Sequence, residues 1–365
     1  MRFTKMHGLG NDYVFVDGVG AAWSGSGVAA RWAADPAGLA RRVADRHTGI
    51  GGDGLILILP SERADVRMEM YNADGSRGRM CGNGIRCVAK YAVEHGLVAG
   101  PDLAIETDAG VRRAACVPAG GRVERVRIDM GRPSLAPSSL PATIDAERIV
   151  DHPITIAGTT YTVTCVSMGN PHAVVFIEPP GPVPHGPHAG DTARDGDPAT
   201  GTAANQAPGG GTSSRPAPGR TDGGRAASGP GPDRSSRGAP NGWVATGRAL
   251  QNAPPTSLIA VDLVTVGPEF EHAPVFPERI NTHFVRVDSA THVTVRTWER
   301  GSGATRACGT GACAVCVAGA VTGRTRRAIT VELPGGALDI DWDDDDHVHM
   351  TGPAVEVFSG VWRDT

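Results

Sequence analysis

The sequence lacks three features, and each absence excludes a class of protein. No apolar run approaches the roughly 20 residues that a membrane-spanning helix needs, and residues 55–59 are typical of the longest. The 365 residues carry a formal net charge of −4 with a pI of about 6.3, so the basic surplus of a nucleic-acid-binding protein is missing. The N-terminal residues do not have the basic-then-apolar layout of a secretory signal. We therefore expect neither nucleic acid nor a membrane as a partner.

The cysteines do not form the pattern of a secreted protein. There are seven, an odd number in a long chain, which argues against a disulfide framework and favours a cytoplasmic location. Cys308, Cys313 and Cys316 have the spacing of plant-type iron–sulfur ligands. Because the segment around them is rich in Ala and Val with a helical period, we expect buried packing instead. A cysteine-cluster metal-binding protein is the alternative from another functional class.

Two cysteines lie in matching sequence contexts. Residues 81–84 read Cys-Gly-Asn-Gly and residues 308–311 read Cys-Gly-Thr-Gly, and an apolar-periodic run follows each. Both patterns predict a thiol at the first turn of a helix, where unpaired amides and the helix dipole favour a thiolate and attract an anionic group. Two such thiols that face one carbon atom could remove a proton from one side and supply one from the other. The sequence thus predicts an acid–base pair that inverts a stereocentre.

The rest of the chain predicts strands around each of these helices. The first cysteine helix is expected to stop at Gly96, and the second is expected to run from Cys308 to Val321. Asp35-Pro36 predicts another helix start, with an end near His47. Strands around one marked helix occur twice, which indicates two similar lobes.

Residues 179–257 differ from the rest of the chain in composition. They contain sixteen glycines, fourteen prolines and a single aromatic residue, Trp243. Such a segment buries too little apolar surface to offset its ordering entropy. We expect a disordered insertion that interrupts the second lobe.

The chain resembles diaminopimelate epimerases in six segments. These are residues 5–12 (KMHGLGND), 72–76 (NADGS), 80–86 (MCGNGIR), 169–172 (GNPH), 299–301 (ERG) and 307–311 (ACGTG). Their order and spacing fit along the whole chain once the insertion is set aside. The resemblance implies an α+β fold of two pseudo-symmetric lobes, each a mixed β-sheet or barrel around a central helix. It places residues 1–130 and the C-terminal strand, about 350–365, in the first lobe and residues 131–349 in the second.

The resemblance also implies a function for these residues. It implies the cofactor-independent epimerisation of LL-2,6-diaminopimelate to the meso form, for lysine and peptidoglycan biosynthesis, without a metal. Cys81 and Cys308 would be the catalytic bases, in an enzyme that acts on a small molecule and could form a homodimer. The residues implied to bind the α-carboxylate are Gly82, Asn83, Gly309 and Thr310, and those implied to hold the rest of the substrate are Asn11, Asn72, Asn170, Asn281, Glu299 and Arg300.

Some residues depart from the family pattern or fit more than one role. Gly54 stands where the family often has Gln, and Ala304 where it usually has Glu. His172 fits either a base or a hydrogen-bonded loop histidine. A proline-racemase-like enzyme with two cysteines is a related alternative, against which Asn83 and the Glu299-Arg300 pair argue.

Overall fold

The computed structural model describes residues 1–19, 34–177 and 257–363. Strands dominate them, and the helices are few. The α-helices are α1 (Pro36–Ala44), α2 (Gly82–Glu94), α3 (Leu263–Glu271) and α4 (Gly309–Val321), and the 3₁₀ turns are Pro137–Ser139 and Leu258–Ala260. The strands are β1 (Arg2–Gly8), β2 (Asn11–Asp17), β3 (Gly54–Leu59), β4 (Val66–Asn72), β5 (Arg77–Gly78), β6 (Asp102–Thr107), β7 (Gly110–Ala119), β8 (Arg122–Asp129), β9 (His152–Ile156), β10 (Thr159–Ser167), β11 (Pro171–Phe176), β12 (Asn281–Ser289), β13 (His292–Glu299), β14 (Gly303–Thr305), β15 (Ala328–Leu333), β16 (Gly336–Trp342), β17 (Val348–Pro353) and β18 (Val355–Val361).

The order of strand pairing in the first half is repeated in the second. In the first, β18, β1, β2, β3 and β4 pair in turn, β4 also pairs with the short β5 and with β6, and β7 and β8 follow. In the second, β9 to β13 pair in turn, β13 also pairs with the short β14 and with β15, and β16 and β17 follow. The parallel pairs fall at equivalent places, β2–β3 with β11–β12 and β4–β6 with β13–β15. The antiparallel pair β8–β17 joins the two halves.

Each half surrounds one cysteine helix. Helix α2 packs against β1, β2, β4, β6, β7 and β8, and α4 packs against β10, β11, β12, β15, β16 and β17. All residues of α2 from Gly82 to Ala92 are buried, as are those of α4 from Ala312 to Ala318. The predicted fold class, α+β with two similar halves around central helices, is confirmed. The lobe boundaries at residues 130 and 349 stay predictions.

Local chemistry explains where the helices begin. Asp35 caps α1, since its side chain accepts a hydrogen bond of 2.8 Å from the Gly38 amide, and Pro36 supplies a preset backbone angle. Helix α1 ends at Ala44, three residues before the predicted His47. Helix α2 ends at Glu94, and Gly96 adopts a left-handed φ of 71° just beyond it, as the sequence predicts.

Helix α3 and strands β5, β12 and β14 were not predicted from the sequence, and one prediction falls outside the described residues. Helix α3 contains Gly267 and Pro268, which normally disfavour a helix interior. Strand β12 begins with buried polar residues instead of an alternating pattern. The insertion predicted at residues 179–257 lies outside the described part except for Ser257. In the residues that the structure describes, no helix has the length and apolar character needed to cross a membrane.

Candidate active site

The two matching cysteines each occupy the N-cap of a central helix. Cys81 precedes α2 with φ −131° and ψ 120°, and Cys308 precedes α4 with φ −116° and ψ 108°. These extended angles are those expected of a residue just before a helix. The Gly84 amide donates a hydrogen bond of 3.4 Å to the Cys81 sulfur. Both thiols therefore lie at the positive end of a helix dipole, as predicted.

Glycines bring the two helix N-termini together. A Cβ atom at position 82 would lie 3.5 Å from the Cα of Gly309, and a Cβ at position 309 would lie 3.5 Å from the Cα of Gly82. The Met350 side chain packs against both, at 3.1 and 3.0 Å from those Cβ positions. A side chain at either position would crowd Met350 and would just touch the opposite backbone. The free amides of two helices consequently converge on one small region, which suits a carboxylate.

The Cys81 thiol is held by side chains from the first half. Its sulfur lies 3.4 Å from Asn11 Oδ1, and Asn83 Nδ2 donates to the same oxygen at 3.4 Å and to the Ala307 carbonyl at 3.2 Å. Burial raises the pKa of Tyr13, and the neighbouring Cys81 raises it further. The contact between Asn83 and Ala307 ties the first helix to the residue before Cys308.

The Cys308 thiol is more enclosed. It is only 4% exposed, and its sulfur lies 3.7 Å from Thr310 Oγ1. Burial raises the pKa of Cys308, and the charge of the nearby Glu299 raises it further. Burial also raises the pKa of Glu299, whose Oε1 accepts a hydrogen bond from Thr305. A carboxylate beside a thiol of raised pKa is a place where a proton can be held or exchanged.

One electrostatic expectation is corrected by the structure. The helix position predicts a lowered pKa for both thiols, but burial raises the pKa of Cys81 and of Cys308. The Gly84 amide opposes that rise at Cys81 and is outweighed. At Cys81, the unfavourable free energy of removing a thiolate from water is therefore larger than the stabilisation from the hydrogen bonds at the helix start.

The predicted substrate-binding side chains, apart from Asn72, fall into two groups. Around the cysteines lie Asn11, Asn83, Glu299, Thr310 and Asn170, whose Nδ2 donates to Thr310 Oγ1 at 3.3 Å.

A second group surrounds the start of β12. Asn281 Nδ2 donates to the Pro171 carbonyl at 2.8 Å, and Asn281 Oδ1 accepts from the Arg300 amide at 3.0 Å. The exposed Arg300 guanidinium donates to the Glu278 carbonyl at 3.0 Å. Asn281 thereby fixes the backbone of Arg300 against the segment that carries Asn170. Asn72 lies in the other half of the chain, at the end of β4, where its Nδ2 donates to Ser76 Oγ at 2.9 Å.

The two departures from the family pattern have different settings. A Cβ at Gly54 would lie 2.1 Å from the Tyr71 carbonyl oxygen, so this backbone excludes a glutamine there. Gly54 pairs with both Tyr13 and Asn72, which links those residues across three strands. Ala304 lies opposite Trp298 on β14 and is exposed.

Sequence reasoning missed several residues that orient the site. Asp53 Oδ2 accepts from Asn11 Nδ2 at 2.7 Å, and the fully buried Arg86 donates to Asn83 Oδ1 at 3.0 Å and to the Gly82 carbonyl at 2.9 Å. His283, fully buried, contacts His172. Asp53 lies in a glycine-dense turn and Arg86 follows Cys81 by five residues, so proximity in sequence was a usable signal. His283 offered none.

Three side chains offer possible metal ligands. One ligand atom each from His172, His283 and Cys308 lies within 4.8 Å of the others. The imidazole nitrogens of His172 and His283 are 2.9 Å apart, a hydrogen-bond distance. Two nitrogens on one tetrahedral zinc ion stand about 3.3 Å apart. Hydrogen bonding accounts for the pair as it stands.

The predicted iron–sulfur alternative does not fit the positions of its cysteines. Cys313 and Cys316 are fully buried in the apolar core on α4, and the Cys316 thiol donates to the Arg327 carbonyl at 3.2 Å. Both thiols are packed as apolar core residues, as the sequence predicts.

Known proteins resemble this chain over nearly its full length. The family model for diaminopimelate epimerase matches residues 3–136 and 256–357. The diaminopimelate epimerase of Moorella thermoacetica is 41% identical over 361 residues, which cover 99% of this chain and 98% of that protein. The one from Geobacillus kaustophilus is 39% identical over 363 residues, 99% of this chain and 96% of that protein.

Solved structures share the fold at low sequence identity. A probable proline racemase from Agrobacterium radiobacter aligns with a TM-score of 0.57 and 16% identity over 99% of this chain and 92% of that one. A hydroxyproline epimerase from Agrobacterium vitis aligns with a TM-score of 0.54 and 14% identity over 99% and 91%. At these identities the likeness concerns the fold alone.

Proposed function

We propose that this chain, which belongs to the diaminopimelate epimerase family, converts LL-2,6-diaminopimelate to meso-diaminopimelate with Cys81 and Cys308 as its two bases. The observation that carries the proposal is the pair of N-cap thiols on two helices whose first residues touch. The α-carbon of an amino acid is weakly acidic, so its proton leaves only if the developing charge is stabilised. The converging amides of α2 and α4 offer that stabilisation.

The α-carboxylate would bind at the paired helix termini. Gly82, Asn83, Gly309 and Thr310 are the first residues of the two helices, and their amides are among those that a helix leaves unpaired. Negative charge that moves onto the carboxylate during proton removal would meet these donors at the positive ends of two dipoles. Arg86, buried one turn into α2, adds a fixed positive charge behind them.

The two thiols would act on opposite faces of the α-carbon. One, as a thiolate, removes the proton, and the other, as a thiol, supplies a proton from the opposite side. After one turnover the two sulfurs have exchanged protonation states. Glu299 lies beside Cys308 and would hold or return the proton of that thiol. Because both thiols are buried enough for their pKa values to rise, the thiolate formed is a strong base.

The distal end of the substrate would be held by polar groups of both halves. Arg300 can form a two-point contact with a carboxylate, and Glu299 and amide oxygens can accept from an ammonium group. Asn11, Asn72, Asn170 and Asn281 complete the proposed set. Recognition of this second amino-acid centre would exclude ordinary amino acids.

Replacement of Arg300 by methionine tests the distal site. We expect KM for LL-diaminopimelate to rise at least about thirtyfold, because about 2 kcal/mol of charge-assisted hydrogen bonding is lost, while kcat changes less. Initial rates over a range of substrate concentrations measure both constants. Arg286→Met, at a half-buried position of β12 where Arg286 pairs with Asp288 at 2.6 Å, is the matched control and should leave KM unchanged. An unchanged KM in Arg300→Met would show that Arg300 does not bind the substrate.

The wider setting belongs to the same proposal. The reaction would serve lysine and peptidoglycan biosynthesis in the cytoplasm, with a small molecule as the substrate.

A homodimer would use strand β18, which in the described residues pairs only with β1 and exposes Val357 and Phe358. Sedimentation velocity would then give twice the monomer mass.

The direct test of the proposed reaction is a comparison of two substrates. The purified chain should convert LL-diaminopimelate to a mixture with the meso form, as chiral chromatography measures, and should leave L-proline unchanged. Turnover of proline without turnover of diaminopimelate would instead assign the chain the activity of a proline-racemase-like enzyme.

A further inference from the structure

A row of buried polar side chains crosses three neighbouring strands beneath Cys308. His172 is on β11, His283 on β12 and Thr297 on β13, and none is more than 1% exposed. His172 Nδ1 and His283 Nε2 are 2.9 Å apart, and His283 Nδ1 is 3.0 Å from Thr297 Oγ1. Strands β11 and β12 are parallel, and His283 pairs directly with Thr297 across β12 and β13. His172 itself pairs with Asn281, two residues before His283, so the two imidazoles lie on the same face of the sheet and their side chains bridge the offset.

The row continues to the sulfur of Cys308. His172 Nε2 is 3.1 Å from Asn170 Oδ1, and Asn170 Nδ2 donates to Thr310 Oγ1 at 3.3 Å. Thr310 Oγ1 is in turn 3.7 Å from Cys308 Sγ. Five hydrogen bonds thus join a threonine on β13 to the thiol at the start of α4.

The donor and acceptor properties of these groups determine the direction of hydrogen-bond donation along the row. Because Asn170 Oδ1 can only accept, His172 Nε2 carries a proton, and a neutral His172 must then accept at Nδ1. His283 Nε2 therefore donates to His172, and His283 Nδ1 accepts from the Thr297 hydroxyl. Thr310 Oγ1 accepts a hydrogen bond from the Asn170 amide. The hydroxyl proton of Thr310 can therefore be donated to Cys308 Sγ. Every proton in the row points toward that sulfur.

Both imidazoles are held in the neutral form that this direction requires. Burial lowers the pKa of His172 well below its usual value, and the charges of His283 and Arg300 lower it further. Burial lowers the pKa of His283 to about 3. Within the described residues, the titratable groups beside Cys308 from other elements include these two histidines and Glu299.

We propose that His283 is a positioning residue, which fixes the tautomer of His172 and thereby directs the Thr310 hydroxyl proton to the sulfur of Cys308. The inference rests on the proposed function, since it assigns Cys308 a thiolate form in the catalytic cycle. Burial and the charge of Glu299 disfavour that thiolate, and the hydrogen bond from Thr310 opposes them. The row from Thr297 would keep the Thr310 hydroxyl proton directed at Cys308 whenever its sulfur is a thiolate.

The imidazole of His283 fills a space beside α4 that the absence of a side chain at Gly311 leaves open. A Cβ at Gly311 would lie 2.1 Å from His283 Cε1 and 2.7 Å from its Nε2, so the imidazole occupies the place of a side chain on α4. The ring cannot turn away without vacating that space. The contact keeps His283 Nε2 aimed at His172.

Without His283, the row can reverse. His172 could then take the other tautomer, with its proton on Nδ1 and an accepting Nε2. The Asn170 amide would turn to donate to it, and Thr310 would donate to the Asn170 oxygen instead of to Cys308. Loss of one hydrogen bond to a thiolate should raise the pKa of Cys308 by about one pH unit.

The experiment measures Cys308 alone, in the full chain with Cys81→Ala. Iodoacetamide reacts with the thiolate, and mass spectrometry of the Cys308 peptide follows its rate across pH. The pH at the midpoint of this rate profile reports the pKa of Cys308. Adding His283→Leu, which cannot donate, should raise that midpoint by about one pH unit and slow the alkylation about tenfold at neutral pH. Adding His283→Gln, whose Nε2 can donate to His172, should restore the midpoint. Equal shifts in Leu and Gln variants, or a shift in neither, would overturn the inference.

A pair of threonines supplies a matched control. Thr297→Val and Thr282→Val remove the same hydroxyl from adjoining strands, and both residues are at most 1% exposed. Within the described residues Thr282 Oγ1 has no hydrogen-bond partner, whereas Thr297 Oγ1 pairs with His283. The midpoint should rise for Thr297→Val and stay for Thr282→Val; equal results would contradict the row. Because this readout needs no substrate, a chain that shows these shifts but does not turn over diaminopimelate would contradict the proposed function alone.

Discussion

Replacing Cys308 by alanine is expected to abolish epimerisation, with kcat/KM for LL-diaminopimelate falling about 10⁴-fold, since a general base or acid contributes up to about that factor. Replacing Cys81 by alanine should have the same effect, because inversion needs a proton donor and an acceptor on opposite faces. Coupled or chromatographic assays of both variants measure the loss. The helix amides and Glu299 would be intact in each variant, so binding of the substrate should persist.

The two alanine variants should differ in what they still do. With one thiol left, each variant can remove and return a proton on one face only. We therefore expect slow exchange of the α-proton with solvent, without inversion, in opposite epimers for the two variants. Cys116→Ala is the matched control, since Cys116 is a buried thiol on β7 with a pKa raised to about 11 by burial, and it should keep its activity. More than a tenth of the wild-type rate in Cys308→Ala would contradict its assignment as a base.

Replacing Gly311 by alanine is expected to destabilise the protein by about 3 kcal/mol, through overpacking and broken buried hydrogen bonds. The new Cβ would lie 2.1 Å from His283 Cε1, so the ring must move away from His172 and Thr297. Helix propensity predicts the opposite sign, because alanine inside a helix is favoured over glycine by about 0.5–1 kcal/mol. Chemical denaturation measures the free energy of unfolding. Activity should fall at least about tenfold if the displaced ring also disturbs Cys308.

Two variants test whether the ring contact is the cause. Gly100→Ala is the matched control, because nothing lies within 4 Å of a Cβ at that position, and its stability should change little. Combining Gly311→Ala with His283→Ala removes the clash but not the lost hydrogen bonds, so the double variant should lose clearly less stability than the sum of the two single losses, while the activity does not return. Additive losses would show that His283 does not determine the need for glycine.

The cysteine helices could be predicted because their signals are local. Cys81 and Cys308 stand directly before glycines and apolar-periodic runs, so each N-cap follows from a few consecutive residues. The same holds for Asp35, which caps α1. The doubled pattern then indicated two similar halves, and the repeated strand pairing agrees with it.

The rest of the site depends on contacts between distant parts of the chain. His172 and His283 are 111 positions apart, and they meet because β11 and β12 are parallel neighbours in which His172 pairs with Asn281, two residues before His283. Strand β12 itself has no alternating pattern at its start, so no role for His283 could be predicted from the sequence. The raised pKa of Cys81 and Cys308 also follows from burial, which the sequence of a helix start does not reveal. Local patterns located the bases, and long-range packing determines their acidity.

The family pattern likewise needed the backbone to be understood. Gly54 departs from a frequent glutamine, and the close Tyr71 carbonyl shows that no side chain fits in this backbone. Asn72, directly opposite, therefore lies against main chain instead of a glutamine side chain. Sequence comparison gave the position, and the structure gave the physical reason.

The central claim is that two thiols exchange protons on opposite faces of one carbon, and isotope transfer from solvent tests it most directly. The chain is incubated with LL-diaminopimelate in heavy water, and the reaction is stopped at low conversion. Mass spectrometry after chiral separation should find one deuterium in the meso product, at the inverted carbon, and almost none in the remaining LL substrate. A product without deuterium, or a substrate labelled as fully as the product, would contradict the two-base account.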